Sequence, residues 1–374
     1  MFFIALKMLM GDTTKYVALC FGLAFSVTLV MEQGAIVTGV LKRTASTIEN
    51  VPQADIWVMH PATQYYDERR AITSTAVNRV RGVEGVEWAE PLFTGGGSAT
   101  LPDGSFANVQ IVGVDRVSKL GLPRLFVSGK PDMIEQADTI FWDDGGIALY
   151  KKIKPNDVLE INDHRAKVVG QVSAPRRFSS AAVIYTTYER ALQYSPGERN
   201  MLSFVLVKVK PGFDHKTVAS HIAQQTGLGA HTGNDFYWST VAFYLKNSAI
   251  PINFGVTVLL GIIVGIAIAG QTFYSFTAEN IRHFGSLKAM GTSNGTLIRM
   301  VLLQALLVGL IGWGLGAGAA AVFGWNLNSR SAIAFLMTPH LMIFSFVNML
   351  VTVLIAAVIS IRRVLNVEPA IVFR

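Results

Sequence analysis

Residues that could perform chemistry are scarce in this sequence, and they form no known catalytic motif. There is no Gly-x-x-x-x-Gly-Lys-Ser/Thr phosphate loop, and no His-Glu-x-x-His, paired-cysteine or Gly-x-Ser-x-Gly element. His215 and His221 lie six positions apart on one predicted helix, off the spacing that shares a face. Asp143 and Asp144 precede two glycines and indicate an acidic turn. We therefore predict that the chain is not an enzyme and that another chain hydrolyses any ATP it uses.

The first apolar run carries one charged residue, Glu32, between Met31 and Gln33. A charged side chain within a membrane span is costly and is a functional candidate by default. We interpret Met31, Glu32 and Gln33 as candidates for a cleft that grips an amphipathic or lipid-like substrate. In the alternative interpretation, Glu32 simply reaches the outer membrane interface.

A short amphipathic segment, residues 277–291, connects the second and third apolar runs. One side repeats at helical spacing, with Phe276, Asn280, Phe284 and Leu287, and the other side carries Glu279, Arg282 and His283. Gly291 is typical of a residue that ends a helix in the left-handed conformation. Such a helix either lies in the lipid interface or docks into a groove on a partner.

The composition is that of a membrane protein. Of 374 residues, 51% are hydrophobic and 15% are charged, whereas a soluble domain carries roughly a quarter charged residues. Between Lys42 and Lys246 there are 23 basic and 21 acidic residues, against 9 and 4 elsewhere, so most of the net charge of +7 flanks the apolar runs. This distribution argues against nucleic-acid binding. The single cysteine, Cys20, excludes an internal disulfide.

Four apolar runs are long enough to cross a bilayer core of about 30 Å: Tyr16–Val40, Pro251–Phe276, Thr296–Phe323 and Pro339–Ile361. The first run exceeds the roughly 7–15 apolar residues of a cleaved signal peptide, so we expect it to be retained. Basic residues flank one side of the predicted topology: Lys7, Lys15, Arg282, Lys288, Arg299, Arg362, Arg363 and Arg374. The positive-inside rule then predicts that both termini lie in the cytoplasm, with the loop 324–338 outside.

We predict an α-helical integral membrane protein with four transmembrane helices and an α+β extracytoplasmic domain inserted between helices 1 and 2. The N-terminal segment and helix 1 take residues 1–41, the inserted domain takes 42–246, and helices 2–4 lie within 247–374. In the inserted domain we expect strands at 54–59, 86–89, 98–100, 108–112, 158–161, 166–169 and 202–210. We expect helices there at 75–83, 214–226 and 235–246.

Helices 2 and 3 carry small residues at the spacing that lets helices approach closely. The two pairs are Gly261 with Gly265 and Gly312 with Gly316. They serve either packing within one chain or packing against a second copy.

The connection 277–291 resembles the signature Glu-Arg-x-x-Glu-Ile/Phe-Gly-x-Leu-Lys-Ala-x-Gly of the FtsX/MacB-type ABC transporter permeases. The matching residues are Glu279, Arg282, Phe284, Gly285, Leu287, Lys288, Ala289 and Gly291. His283 and Gln304 stand where the family usually has Glu. The segments 302–306 and 362–371 are similar to two further family elements, and the layout of one helix, an inserted domain and three helices agrees. Segments 55–59, 202–207 and 250–255 are most similar to the DevC/HrtB-like branch.

The resemblance implies that 277–291, His283 included, is a coupling helix that docks on a cytoplasmic ABC ATPase subunit. It implies two permeases and two ATPases per complex, with ATP and Mg in the ATPase and no cofactor in this chain. The complex would reside in the inner membrane and export a hydrophobic or amphipathic substrate, such as a lipid, haem or a drug. The DevC/HrtB-like branch makes Met31 beside Glu32 conceivable as part of a haem-like ligand site, and export allows a periplasmic membrane-fusion adaptor as a further partner.

The alternative is an FtsX-like mechanotransmitting regulator, in which the same machine moves the inserted domain to control a periplasmic enzyme and transports nothing. A receptor without an ATPase is a third reading, but it leaves the 277–291 signature without a purpose.

Overall fold

The computed structural model describes residues 2–11, 13–145, 152–178, 181–195, 201–330 and 334–365. The chain forms two compact units. The helical unit comprises Met1–Gly39 and Ala249–Arg374, and the inserted domain is Val40–Ser248. The predicted C-terminal family element at 362–371 lies largely outside the described residues.

In chain order, the described residues begin with helices, continue through the strands and helices of the inserted domain, and finish with the long helices of the helical unit. The helices are α1 (Phe2–Gly11), α2 (Thr13–Thr44), α3 (Ser46–Glu49), α4 (Ala76–Arg81), α5 (Tyr188–Tyr194), α6 (His215–Thr226), α7 (Gly233–Asn247), α8 (Ile250–Glu279), α9 (Ile281–Ala289), α10 (Asn294–Arg330) and α11 (Pro339–Leu365). The strands are β1 (Ile56–Met59), β2 (Ile72–Thr73), β3 (Val86–Thr100), β4 (Phe106–Val114), β5 (Leu125–Phe126), β6 (Thr139–Asp143), β7 (Val158–Ile161), β8 (His164–Ser173), β9 (Ala182–Thr187), β10 (Met201–Leu202), β11 (Phe204–Val209) and β12 (Gly229–Thr232).

Four helices among the described residues are long and apolar enough to cross a membrane, namely α2, α8, α10 and α11. The prediction of four spans is therefore confirmed. Helix α10 continues to Arg330 instead of ending near Phe323. Gly324 lies inside the helix, where its lack of a side chain makes room for the ring of Phe335. A methyl group at this position would overlap that ring.

The glycine pairs of α8 and α10 face α2 within the same chain. A methyl group added at Gly316 would lie 2.6 Å from the carbonyl oxygen of Ala24, and one added at Gly312 would lie 2.8 Å from the Cβ of Leu23. Ser26 of α2 donates a hydrogen bond to the carbonyl of Gly261 at 2.9 Å. These four glycines thus serve packing inside one chain, the first of the two alternatives.

The inserted domain is built on a ten-stranded sheet in the order β12-β1-β11-β3-β4-β9-β6-β8-β5, with β7 pairing β3 and β8. Strands β4 with β9 and β6 with β8 are parallel, and the other pairs are antiparallel. In β1 the side chains alternate between two cores. Trp57 packs with Phe236 of α7 on one face, while Val58 shares a core with Val77 of α4 and Val218 of α6 on the other.

The predicted strands and helices of the inserted domain are found, with two differences. The segment predicted as one strand at 202–210 is divided into the end of β10, which pairs with β2 in a separate two-stranded sheet, and β11. The segments 86–89 and 98–100 belong to a single 15-residue strand, β3, which passes through Pro91 and three glycines. A methyl group at Gly97 would come within 2.9 Å of Ile111 on β4, and one at Gly95 within 2.7 Å of the Phe93 ring. The glycines therefore permit close packing along a continuous strand and do not form a turn.

Candidate functional site

The candidate coupling segment is shorter than 277–291. Residues Thr277 to Glu279 are the last turn of α8, and α9 begins at Ile281 after a bend at Asn280. The Asn280 side chain donates a hydrogen bond back to the carbonyl of Phe276 at 2.9 Å, which stabilises the bend. Gly291 has a φ of +89°, and the Thr292 N–H bonds to the Leu287 carbonyl at 3.0 Å. The predicted glycine stop is thus present.

One side of α9 is part of the helical core. Phe284 is 1% exposed and Leu287 is 8% exposed, and they pack in a cluster that includes Leu297 and Met300 of α10 and Val364 of α11. Gly285 is buried as well. In globular helices this degree of burial stabilises a side chain by roughly 1.5–3 kcal/mol. These signature residues therefore fix the position of α9 and are not available to a partner.

The opposite side of α9 is open. Arg282, His283 and Ala289 are exposed, and Met290, just after the helix, is 75% exposed. We call this surface the open face of α9. It presents the guanidinium of Arg282, the imidazole of His283 and the apolar side chain of Met290 within about three turns of chain.

Two charged residues of the signature are engaged within the chain. Glu279 forms an ion pair with Lys15 at the start of α2. Lys288 donates a hydrogen bond to the Leu365 carbonyl at the end of α11, at 2.9 Å. A buried hydrogen bond between Thr277 and Ser360 also joins α8 to α11. Sequence reasoning missed these links to α11, because partners separated by 77 or more positions leave no local pattern.

A cavity of about 630 Å³ lies beside the open face, between the N-terminal helix α1 and the bend that precedes α9. Its lining is Phe3, Lys7, Met8, Gly11, Glu279, Asn280 and His283. The N-terminal helix, which the sequence analysis had not assigned, thus extends the surface that the signature defines.

Two family models together match nearly the whole chain. The MacB-like periplasmic core domain matches residues 17–225, and the FtsX-like permease C-terminal domain matches residues 255–369. The chain belongs to the FtsX/MacB-type ABC transporter permeases. The resemblance that the α9 signature indicated is confirmed, and members of this family are permease subunits without their own ATPase.

Relatives and solved structures are similar to parts of the permease. Uncharacterized ABC transporter permeases from Mycobacterium bovis and Mycobacterium tuberculosis are 34% identical over 122 residues, which is 32% of this chain and 32% of each relative. The match thus spans about a third of the relatives' length. The extracellular domain of the noncanonic ABC-type transporter YknZ from Gram-positive bacteria is 15% identical, with 48% and 98% of the two chains covered and a TM-score of 0.34. The periplasmic region of MacB from Actinobacillus actinomycetemcomitans is 13% identical, with 54% and 98% covered and a TM-score of 0.36.

The residues of the second candidate site of the permease, toward the C-terminal end of α2, differ in their exposure. Met31 is fully buried in the core of the helical unit, so its sulfur faces neighbouring helices. Glu32 and Gln33 are half-buried. One turn further on, the Ala35 carbonyl accepts a hydrogen bond from the Leu336 N–H at 2.9 Å, so the segment before α11 packs here. A substrate role for Glu32 and Gln33 stays a prediction.

The described residues of the permease contain no group of three or more His, Cys, Asp or Glu side chains that could hold a metal ion. Cys20 is buried in α2, and His215 and His221 both lie on the solvent side of α6.

Proposed function

We propose that this permease is the transmembrane subunit of an ABC exporter, and that a separate cytoplasmic ATPase subunit docks on the open face of α9. The observation that carries the proposal is the division of the signature into two sides. Phe284, Gly285 and Leu287 hold the helix in the bundle, while Arg282 and His283 point away from it. A helix that is packed on one side and exposed on the other transmits a displacement, caused by a docked subunit, to the helices packed against it.

The orientation follows from the placement of the basic residues. Arg282, Lys288 and Arg299 lie in or next to the connection between α8 and α10, and Arg362 lies near the end of α11. By the positive-inside rule these ends face the cytoplasm, so both termini are cytoplasmic and the inserted domain is outside. We place the protein in the inner membrane, where the ATPase can reach α9.

The mechanism requires two permeases and two ATPases. ATP and Mg bind in the ATPase subunits, whose closure moves the two α9 helices together. Ion pairing of Glu279 with Lys15 passes this motion to α2, and the Lys288 and Thr277 hydrogen bonds pass it to α11. The inserted domain is the working end, and the substrate is a hydrophobic or amphipathic molecule. A membrane-fusion adaptor would extend the path along which the substrate leaves the permease.

Co-purification with ABC ATPases from the same genome tests the docking proposal. We expect Arg282→Glu to abolish ATPase capture, because it reverses the charge on the open face without touching the core. Arg299→Glu, an exposed charge reversal on the next helix, is the matched control and should retain capture. Equal capture by both variants would refute docking at α9.

Substrate export is tested separately. ATP hydrolysis by the purified complex is measured with a panel of lipids, haem and drugs, and export is compared between the native permease and Glu32→Ala. Stimulation by one class supports an exporter of that class. No response to any of them, together with activation of a periplasmic enzyme, would replace export by mechanical regulation. Normal export by an assembled Glu32→Ala complex would remove Glu32 from the substrate site.

A further inference from the structure

An arginine in the inserted domain is half-buried and carries one fully buried nitrogen without a partner. The guanidinium of Arg177, in the segment between β8 and β9, lies over the ring of Tyr66, with Cζ 5.9 Å from the ring centroid. Its Nη1 is fully buried and has no hydrogen-bond partner, and Arg177 forms no salt bridge with any described carboxylate. A buried charge is costly unless it is paired and hydrogen-bonded, so this arrangement calls for a compensating group.

Two further polar atoms around Arg177 are also buried and unpartnered. They are the hydroxyl groups of Tyr66 and Tyr185. Each of these side chains is 1% exposed, and both belong to the same core cluster. Tyr66 and Tyr185 both interact electrostatically with Arg177.

The nearest carboxylates are already committed to other donors. Both oxygens of Asp143 accept backbone N–H groups, from Gly145 at 3.0 Å and from Ala174 at 3.0 Å. Burial raises the pKa of Asp143, which weakens it further as a counter-ion. Asp67 accepts a hydrogen bond from the Tyr244 hydroxyl at 2.9 Å. Neither acid satisfies the buried Arg177 nitrogen.

Native proteins leave few buried polar atoms unpaired, and each calls for an explanation such as a strained site, a water or an ion. Here a guanidinium N–H and two phenol O–H groups lie around one cation, and each can donate a hydrogen bond. A water molecule can accept only two of these bonds. An oxyanion can accept all three and also offset the positive charge.

Two further arginines and an exposed aromatic ring lie next to Arg177. Arg176 is the next residue, and it lies close enough to Arg43 for the two charges to repel. Phe178, on the other side of Arg177, is 41% exposed and contacts Tyr244, with ring centroids 5.5 Å apart. Arg43 follows the last residue of the predicted apolar run, Val40, by one turn of α2. The site thus combines cations with exposed aromatic surface close in sequence to a membrane span.

We propose that Arg177, Tyr66 and Tyr185 form a binding site for the phosphate or carboxylate group of an anionic ligand, reached past Arg43, Arg176 and Phe178. The same chemistry fits a lipid headgroup and a small soluble anion. The site lies entirely in the inserted domain and is independent of ATPase docking, so its failure and that of the exporter proposal are separate results.

Binding is tested on the full-length permease by calorimetry and thermal unfolding. One arm adds inorganic phosphate in detergent, and the other compares nanodiscs of phosphatidylcholine with and without phosphatidylglycerol. A thermal shift with phosphate identifies a small-anion site, and a shift only with phosphatidylglycerol identifies a headgroup site. Stability that is unchanged in both arms would overturn the proposal and leave buried water as the occupant.

Two variants locate the site. Arg177→Gln should abolish the shift, while Arg165→Gln, which replaces an exposed arginine of β8, should keep it. Tyr185→Phe removes one hydroxyl at constant shape and should weaken binding by ~10-fold, as expected for the loss of one bond to a charged acceptor. It should also raise the unfolding temperature of the anion-free protein, since an unpaired hydroxyl is removed. A Tyr185→Phe protein that binds the anion as tightly as the native one would refute the assignment.

Discussion

Gly316 offers a direct measurement of how tightly α10 packs on α2. In Gly316→Ala the new methyl group would lie 2.6 Å from the Ala24 carbonyl oxygen and 2.8 Å from the Cβ of Val27. Because backbone atoms cannot rotate away, the two helices must separate. Separation also weakens the hydrogen bond from the Thr28 hydroxyl to the Gly316 carbonyl, at 3.2 Å. Overpacking of this kind costs about 1–3 kcal/mol, and an interhelical hydrogen bond in a membrane adds roughly 0.6 kcal/mol.

Gly314→Ala is the matched control, since a methyl group there meets nothing within 4 Å. Both variants gain the same helix propensity, about 1 kcal/mol in a water-exposed helix. The difference in the free energy of unfolding therefore isolates the contact between α10 and α2, and we expect Gly316→Ala to be less stable than Gly314→Ala by roughly 1–3.6 kcal/mol. The assay is reversible unfolding of the purified permease in mixed micelles, followed by circular dichroism. Equal stabilities would refute the reasoning, and a less stable Gly314→Ala would indicate that this face packs on a second copy.

Three further predictions concern links inside the two units. We expect Lys288→Met to retain ATPase capture but to lower substrate-stimulated ATP hydrolysis several-fold, because the bond to the Leu365 carbonyl is lost while the open face of α9 is kept. Loss of capture itself would contradict this. Arg190→Gln should lower the free energy of unfolding of the inserted domain by about 2–4 kcal/mol, since the guanidinium bonds the Ile134 carbonyl at 2.8 Å and the Thr139 hydroxyl at 3.0 Å. Urea unfolding of the permease tests the Arg190→Gln prediction. A fall in the free energy of unfolding of less than about 0.5 kcal/mol, typical of surface substitutions, would contradict it. Burial raises the pKa of Asp143, so this carboxyl binds a proton more tightly in the folded protein than in the unfolded protein. The contribution of Asp143 to stability therefore falls as the pH rises above the ordinary carboxyl pKa of about 4. Unfolding measured from pH 4 to 7 should show a smaller decline for Asp143→Asn, and identical slopes would rule this out.

Local patterns were enough to predict the spans, part of the strands and the α9 signature, whereas β6 and β9 of the main sheet were not predicted. Apolar length alone identifies a membrane helix, and alternation identifies β11, because both depend on neighbouring residues. Glycine was harder to interpret. Gly291 ends a helix as predicted, whereas Gly324 continues one and Gly97 lies inside a strand. The same residue serves a left-handed turn or a close approach, and only the packing partner distinguishes them.

The candidate functional sites also show that local patterns do not reveal packing partners. The sequence placed Lys288 with Arg282 in one docking surface, and it grouped Met31 with Glu32 in one cleft. In the structure Lys288 bonds to the end of α11, and Met31 is buried in the bundle. Which side of a helix is buried depends on elements far away in the chain, and a single helical period does not reveal it.

The sequence by itself determined that this is a four-span membrane protein with an inserted α+β domain and an α9 signature of the FtsX/MacB-type permeases. Those properties follow from hydropathy, charge placement and short-range spacing, which are local quantities. Only the tertiary structure brought Arg177 of one loop to Tyr66 of another and to Tyr185 of β9, and left their donors unpaired. Residues more than 100 positions apart meet because the sheet and its helices fold, and a site assembled in this way has no trace in the linear sequence.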